Sequence, residues 1–133
     1  MTPPPMTVGA LILAAGRSSR MGNENKLLAD MGGMPMVARV ARAALVSRAR
    51  PVAVVTGHGA DNVRAALANL AVEFVHNPDY ARGMSTSLKA GIEALRKTGV
   101  AGALVLLGDM PRITATTIDS LVAAFEASGG RTV

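Results

Sequence analysis

The sequence contains no cysteine. That excludes a disulfide framework, a thiolate zinc site, an iron–sulfur cluster and a cysteine nucleophile together, and it leaves the redox compartment without a marker. Tryptophan is absent too, and one tyrosine and two phenylalanines supply all the aromatic rings. Proteins that grip single-stranded nucleic acid stack bases on such rings, so this chain is poorly equipped for it. No apolar run approaches the roughly 20 residues of a membrane-spanning helix. Val8 to Ala15 has the length of a signal-peptide core, but it lacks a cationic flank and follows Pro3-Pro4-Pro5. It reads better as a buried strand, which implies a cytosolic (cytoplasmic) protein with no membrane partner.

Acidic residues are also in short supply. Nine Asp+Glu stand against 14 Lys+Arg, for a formal charge of +5. An anionic partner is therefore favoured. With so few aromatics, a small phosphorylated ligand fits better than a nucleic acid, although contact with a duplex backbone stays open.

What remains is a chain of 133 residues, half of them apolar and 17% charged. This is one domain's worth of ordered protein, able to bury roughly two-thirds of its unfolded surface. Residues 1–6 read as a disordered tail and 7–133 as the domain. Three apolar runs stop at glycines: Val8–Ala14 before Gly16, Pro51–Thr56 before Gly57 and Ala103–Leu107 before Gly108. Val72–Val75 is a shorter candidate strand. Continuous apolar character is expected of strands covered on both faces.

Between the runs the period becomes helical. Pro35 suits a first helical position, with Val37, Val40, Ala41 and Ala44 on one face. Asp61 or Asn62 is expected to cap a helix reaching about Leu70. Leu88, Ile92 and Leu95 form a third stripe, and Thr116 with Asp119 resembles a capping box ahead of Ile118 and Val122. Alternation of strand and helix implies an α/β fold, three-layer and Rossmann-like, with a mostly parallel sheet and helices on both faces. In such folds ligands sit beyond the carboxyl ends of the strands.

The first of these ends carries Leu13-Ala14-Ala15-Gly16-Arg17-Ser18-Ser19-Arg20-Met21-Gly22, continuing to Lys26. Gly16 permits a sharp turn, and small residues let backbone N–H groups approach an anion. Arg17, Arg20 and Lys26 add three cations within ten residues. The loop is neither a Walker A sequence nor Gly-x-Gly-x-x-Gly. On residue types alone, a triphosphate cradle and a solvated strand–helix connection are equally good readings. At the last strand end, Gly108-Asp109-Met110-Pro111 offers a carboxylate that Mg²⁺ could join to phosphate oxygens, or it is a plain strand-ending turn. From Asn77 the chain runs through Asp79, Gly83 and the hydroxyl cluster Ser85-Thr86-Ser87 into a helix, whose N-terminus suits an anion or a polar base edge. Ser85 is the expected helix cap.

Taken together, the first loop resembles the signature Leu-Ala-Ala/Gly-Gly-x-x-x-Arg-Met-Gly-x-x-x-Lys of the MobA-like nucleotidyltransferases. Ala15 matches the form found in molybdenum cofactor cytidylyltransferases, where the guanylyltransferases usually have Gly. Gly83-Met84-Ser85-Thr86-Ser87-Leu88 resembles the cytidylyltransferase stretch Gly-Met-Ser-Ser-Ser-Leu. The resemblance runs from about Gly9 to Val133, with its three motifs in family order.

It implies a fold of the nucleotide-diphospho-sugar transferase type and transfer of CMP from CTP to molybdopterin, the organic part of the molybdenum cofactor, releasing pyrophosphate. Leu13, Ala14, Ala15, Gly16, Arg17, Ser18, Lys26, Asn77, Gly83, Ser85 and Ser87 would then bind nucleotide. Arg20, Lys26 and Asp109 would be catalytic, and Asp109 would hold Mg²⁺. A molybdoenzyme is a conceivable downstream partner. Family members usually continue for about a further third of their length, so the resemblance also implies that the C-terminal part is missing, with further strands and a second acidic ligand. The alternatives are transfer of GMP or another nucleotide to a different acceptor, such as a sugar phosphate, and a non-catalytic nucleotide- or cofactor-binding maturation protein.

Two features carry no function in this reading. Thr56-Gly57-His58-Gly59 has Asn62 where a dinucleotide fingerprint needs glycine, and His58 and His76 lack a second set of ligands.

Overall fold

The apolar runs become a parallel sheet in the computed structural model, which describes residues 8–14, 36–57, 60–108 and 113–127. The strands are β1 (Val8–Ala14), β2 (Val52–Thr56), β3 (Glu73–His76) and β4 (Gly102–Leu107). Their order is β3-β2-β1-β4, and every pairing is parallel. β1 and β2 are buried at every position, which explains their unbroken apolar sequences.

The helices are α1 (Met36–Val46), α2 (Ala60–Ala66), α3 (Met84–Arg96) and α4 (Ala115–Ala127). The expected α1 face of Val37, Val40, Ala41 and Ala44 is fully buried. It packs with Val63, Leu67 and Ile118 against Ala10, Ile12, Val52, Val54 and Leu106, so α1, α2 and α4 cover one side of the sheet. α3 covers the other side, where Leu95 meets Leu11, Leu13, Ala53 and Val55. Chain direction explains this division. From β1 to β3 each step moves the same way across the sheet, whereas β3 to β4 doubles back past β1. A right-handed crossover then puts its helix on the opposite face. The three-layer α/β expectation holds.

Local differences are informative. The buried line of α3 is Ser87, Gly91 and Leu95, while Ile92 is 41% exposed. Gly91 is the cause: a Cβ on it would lie 2.2 Å from Leu11 Cδ1, so the helix approaches β1 along its glycine and turns Ile92 outward. α2 starts one residue before Asp61 and is shorter than expected, ending at Ala66.

In α4 the capping hydroxyl belongs to Thr114, which accepts from the Thr117 N–H at 3.2 Å. Asp119, assigned to a capping box on sequence, instead accepts from the Arg48 backbone N–H at 2.6 Å. The Arg48 guanidinium bonds both Glu126 oxygens, at 2.8 and 2.9 Å, tying α4 to the chain just after α1. β4 also differs from β1 and β2. It lies at the edge of the described sheet with one face open, leaving Val105 47% and Leu107 36% exposed. Among the described residues no helix is long and apolar enough to cross a membrane.

Candidate functional site

The carboxyl ends of the four strands bring separate sequence motifs to one edge of the sheet. β1 and β4 are neighbours in register, with Leu13 opposite Leu107. One residue further on, the Gly108 N–H donates to the Leu13 carbonyl at 3.1 Å. The glycine-rich basic loop begins after Ala14, and the Asp109 turn begins after Gly108, so the two motifs leave the sheet side by side. This is also where the strand order reverses, the usual ligand position in an open α/β sheet. Ala15, Gly16, Arg17, Ser18, Arg20, Lys26 and Asp109 themselves lie outside the described residues. Leu13 and Ala14 are described and buried, and the Leu13 carbonyl is already engaged. Their side chains belong to the core clusters on the two faces of the sheet.

On the other side, β2 and β3 end together, and the Asn77 N–H donates to the Thr56 carbonyl at 2.7 Å. Thr56 is fully buried, and its Oγ1 lies 3.4 Å from His76 Nδ1. From Asn77 the chain forms an Asx turn, in which Asn77 Oδ1 accepts from the Asp79 N–H at 3.0 Å. The 3₁₀ turn Tyr80–Arg82 follows, and then Gly83 enters α3.

The predicted residues of this segment divide into two kinds. Asn77 and Ser87 are 3% and 4% exposed and bond to each other, Asn77 Nδ2 donating to Ser87 Oγ at 2.9 Å. Gly83 and Ser85 are exposed at the start of α3. The helix cap is Gly83, not Ser85, and it provides no side-chain bond to the helix. Thr86, which the sequence places in the hydroxyl cluster but not among the expected nucleotide-binding residues, is the junction. It accepts from Asn77 Nδ2 at 2.9 Å and donates to the carbonyl of Gly83 at 2.8 Å or of Asp79 at 3.0 Å. The available signal was position: Asn77 ends a strand, and Thr86 and Ser87 are adjacent in the first helical turn.

Gly83 has φ 122° and ψ 169°, a backbone region that is essentially glycine's own, and a Cβ there would touch nothing within 4 Å. Conformation rather than space thus demands glycine. Gly83→Ala is expected to cost of order 1–3 kcal/mol, read as a lowered urea midpoint at constant m-value.

Comparison with known proteins points the same way. A model of the MobA-like NTP transferase domain matches residues 10–133. The bifunctional protein GlmU of Kineococcus radiotolerans is 34% identical over 130 residues, covering 96% of this chain and 26% of that protein. A nucleotidyl transferase from Methanothermobacter thermautotroptrophicus superimposes with a TM-score of 0.78 at 29% identity, over 88% of this chain and 57% of that one. A CMP:2-keto-3-deoxy-manno-octonic acid synthetase complexed with CTP gives 0.75 at 22% identity, over 92% and 48%, a likeness of fold. The chain spans about a quarter of the GlmU relative's length and about half of these structural neighbours.

Proposed function

Because the chain belongs to the MobA-like NTP transferase domain family, we propose that it forms the nucleotide-binding part of a Mg²⁺-dependent cytosolic nucleotidyltransferase that moves CMP from CTP to molybdopterin. The observation that carries this reading is the paired exit of the basic loop and the Asp109 turn, joined at their base by the Gly108–Leu13 hydrogen bond. Two stretches favour cytidine, Leu13-Ala14-Ala15-Gly16 and Gly83-Met84-Ser85-Thr86-Ser87-Leu88, each in the cytidylyltransferase form. The structural neighbour that holds CTP supports a cytidine triphosphate on this fold.

In the proposed reaction, an oxygen of the molybdopterin terminal phosphate attacks the α-phosphorus of CTP. A new P–O bond forms, the bond from that phosphorus to the bridging oxygen breaks, and its electron pair leaves with pyrophosphate. The substrate is itself the nucleophile, so the chain's task is alignment and charge compensation. Backbone N–H groups of Ala15, Gly16, Arg17 and Ser18 cradle the phosphates. Arg20 and Lys26 neutralise them, the guanidinium with two parallel bonds and the ammonium as a point charge. Gly83 and Ser85 receive the nucleoside end.

The donor set fits a hard cation, since Asp109 and phosphate oxygens are both oxygen ligands. In this reading Asp109 is a protein anchor for the cation; among the described residues no group of three or more potential metal ligands is gathered. When bound there, Mg²⁺ supplies electrostatic stabilisation of charge on the phosphoryl oxygens.

The GlmU relatives favour a second reading, in which the same machinery serves a different acceptor such as a sugar phosphate. Pyrophosphate release by the full-length protein, with CTP, GTP, ATP and UTP against molybdopterin and sugar phosphates, separates the two. The expected result is a preference for CTP with molybdopterin of about tenfold or more in kcat/KM. Preference for another pair selects the second reading, and nucleotide binding without pyrophosphate release would sink catalysis altogether.

A further inference from the structure

We infer that Asn77 is a positioning residue: it holds the first turn of α3 in place for the nucleotide and makes no contact with the nucleotide itself. The inference rests on the nucleotide-binding reading above and changes the part that Asn77 and Ser87 play in it. The Asn77 amide has no spare donor. Its two N–H bonds go to Thr86 Oγ1 and Ser87 Oγ, both at 2.9 Å, while Oδ1 accepts from the Asp79 N–H at 3.0 Å. Its backbone N–H is fixed to the Thr56 carbonyl at 2.7 Å, so the anchor sits on the end of β3 beside fully buried β2. At 3% exposure, a ligand reaching this amide would have to break bonds that hold the turn together.

The groups that Asn77 fixes are placed differently. Thr86 passes the constraint on through its own hydroxyl, whose single proton goes to the Gly83 carbonyl at 2.8 Å or the Asp79 carbonyl at 3.0 Å, so the 3₁₀ turn leading into α3 is tied to this side chain. Gly83, Met84 and Ser85 remain exposed just beyond this knot. Gly83 caps α3 without a side-chain hydrogen bond. A helix entrance of this kind needs an external brace to stay aligned, and the amide of Asn77 is that brace.

The test compares Asn77→Ala, the isosteric Thr86→Val, the conservative Thr86→Ser and the Asn77→Ala/Thr86→Val double variant in the full-length protein. Each removal is expected to raise KM for Mg–CTP about tenfold while kcat stays within about twofold. The preference among CTP, UTP and GTP is expected to stay unchanged, and Thr86→Ser to restore wild-type KM. Because both residues act through one network, the double variant is expected to be no worse than either single. A multiplicative, roughly hundredfold loss in the double variant, or a changed nucleotide preference in Asn77→Ala, would show that Asn77 reads the nucleotide directly and overturn the inference. Amide hydrogen exchange provides a readout independent of turnover. Protection at residues 83–87 is expected to fall in Asn77→Ala and Thr86→Val while β1 stays protected; unchanged protection also overturns the inference. A wild-type protein that binds no nucleotide would refute the functional reading, while the exchange result would still decide whether Asn77 braces the helix.

Discussion

Asp109→Ala in the full-length protein is expected to lower metal-dependent turnover by about 10²–10³-fold, the usual consequence of deleting one preorganised electrostatic group. Gly108 precedes the carboxylate at the end of β4. Its N–H is bonded to Leu13, so the strand end that presents residue 109 is anchored independently of the side chain at 109. Loss of the carboxylate should therefore leave folding intact, with a thermal midpoint near that of the wild type. In the proposed role, the carboxylate holds the cation that bridges protein and phosphates, so the apparent KM for Mg²⁺ should rise with the loss of turnover. Asp109→Asn separates charge from shape. It keeps the size and turn-forming capacity of aspartate but removes the anion. Turnover near wild type in Asp109→Asn, or an unchanged Mg²⁺ dependence in Asp109→Ala, would show that residue 109 only shapes the turn.

The scaffold around that site was readable from sequence because its signals are local. Val8–Ala14 and Val52–Thr56 are apolar at nearly every position, since β1 and β2 have helices on both faces. The α1 stripe was likewise set by residues a turn apart. The failures came where a distant contact outweighed a local preference. Asp119 has the spacing of a capping residue, but the Arg48 N–H, 71 positions away, takes its carboxylate. Ile92 has the spacing of a core residue, but Gly91 allows a closer approach than a larger residue would, and Ile92 is turned outward. β4 has the composition of a covered strand, yet α3 packs on β1 and β2 and leaves Val105 and Leu107 open.

At the site itself, the one described position whose backbone L-residues avoid, Gly83, could be read off the sequence as a glycine. The distinction between Asn77 and Ser85 could not. Both are polar residues in one motif, and only the packing shows that one is buried and bonded while the other is exposed.

The contact between Gly91 and Leu11 yields the largest expected stability effect and tests the packing beneath the site. Leu11 is fully buried in β1, so Leu11→Ala is expected to cost about 4 kcal/mol through lost burial and the cavity left behind. Gly91→Val approaches the same contact from the helix. A Cβ at 91 would meet Leu11 Cδ1, Cδ2 and Cγ at 2.2, 2.7 and 2.9 Å. Displacing a flexible side-chain tip would be cheap, but Cγ is the branch point and moves only with the whole residue. Overpacking should therefore cost about 3 kcal/mol, at the upper end of its usual range. The gain in helix propensity over glycine, roughly 0.3 kcal/mol, is too small to offset it. Combined, the two substitutions act on the same space: the valine methyls enter the volume that Leu11 vacates. The double variant is thus expected to be more stable than Leu11→Ala alone, well short of the roughly 7 kcal/mol that independent effects would sum to. Urea unfolding of the four proteins measures this coupling. Additive losses would mean that α3 does not rest on β1 at this point, and the helix entrance that Gly83 and Ser85 present would lose its support.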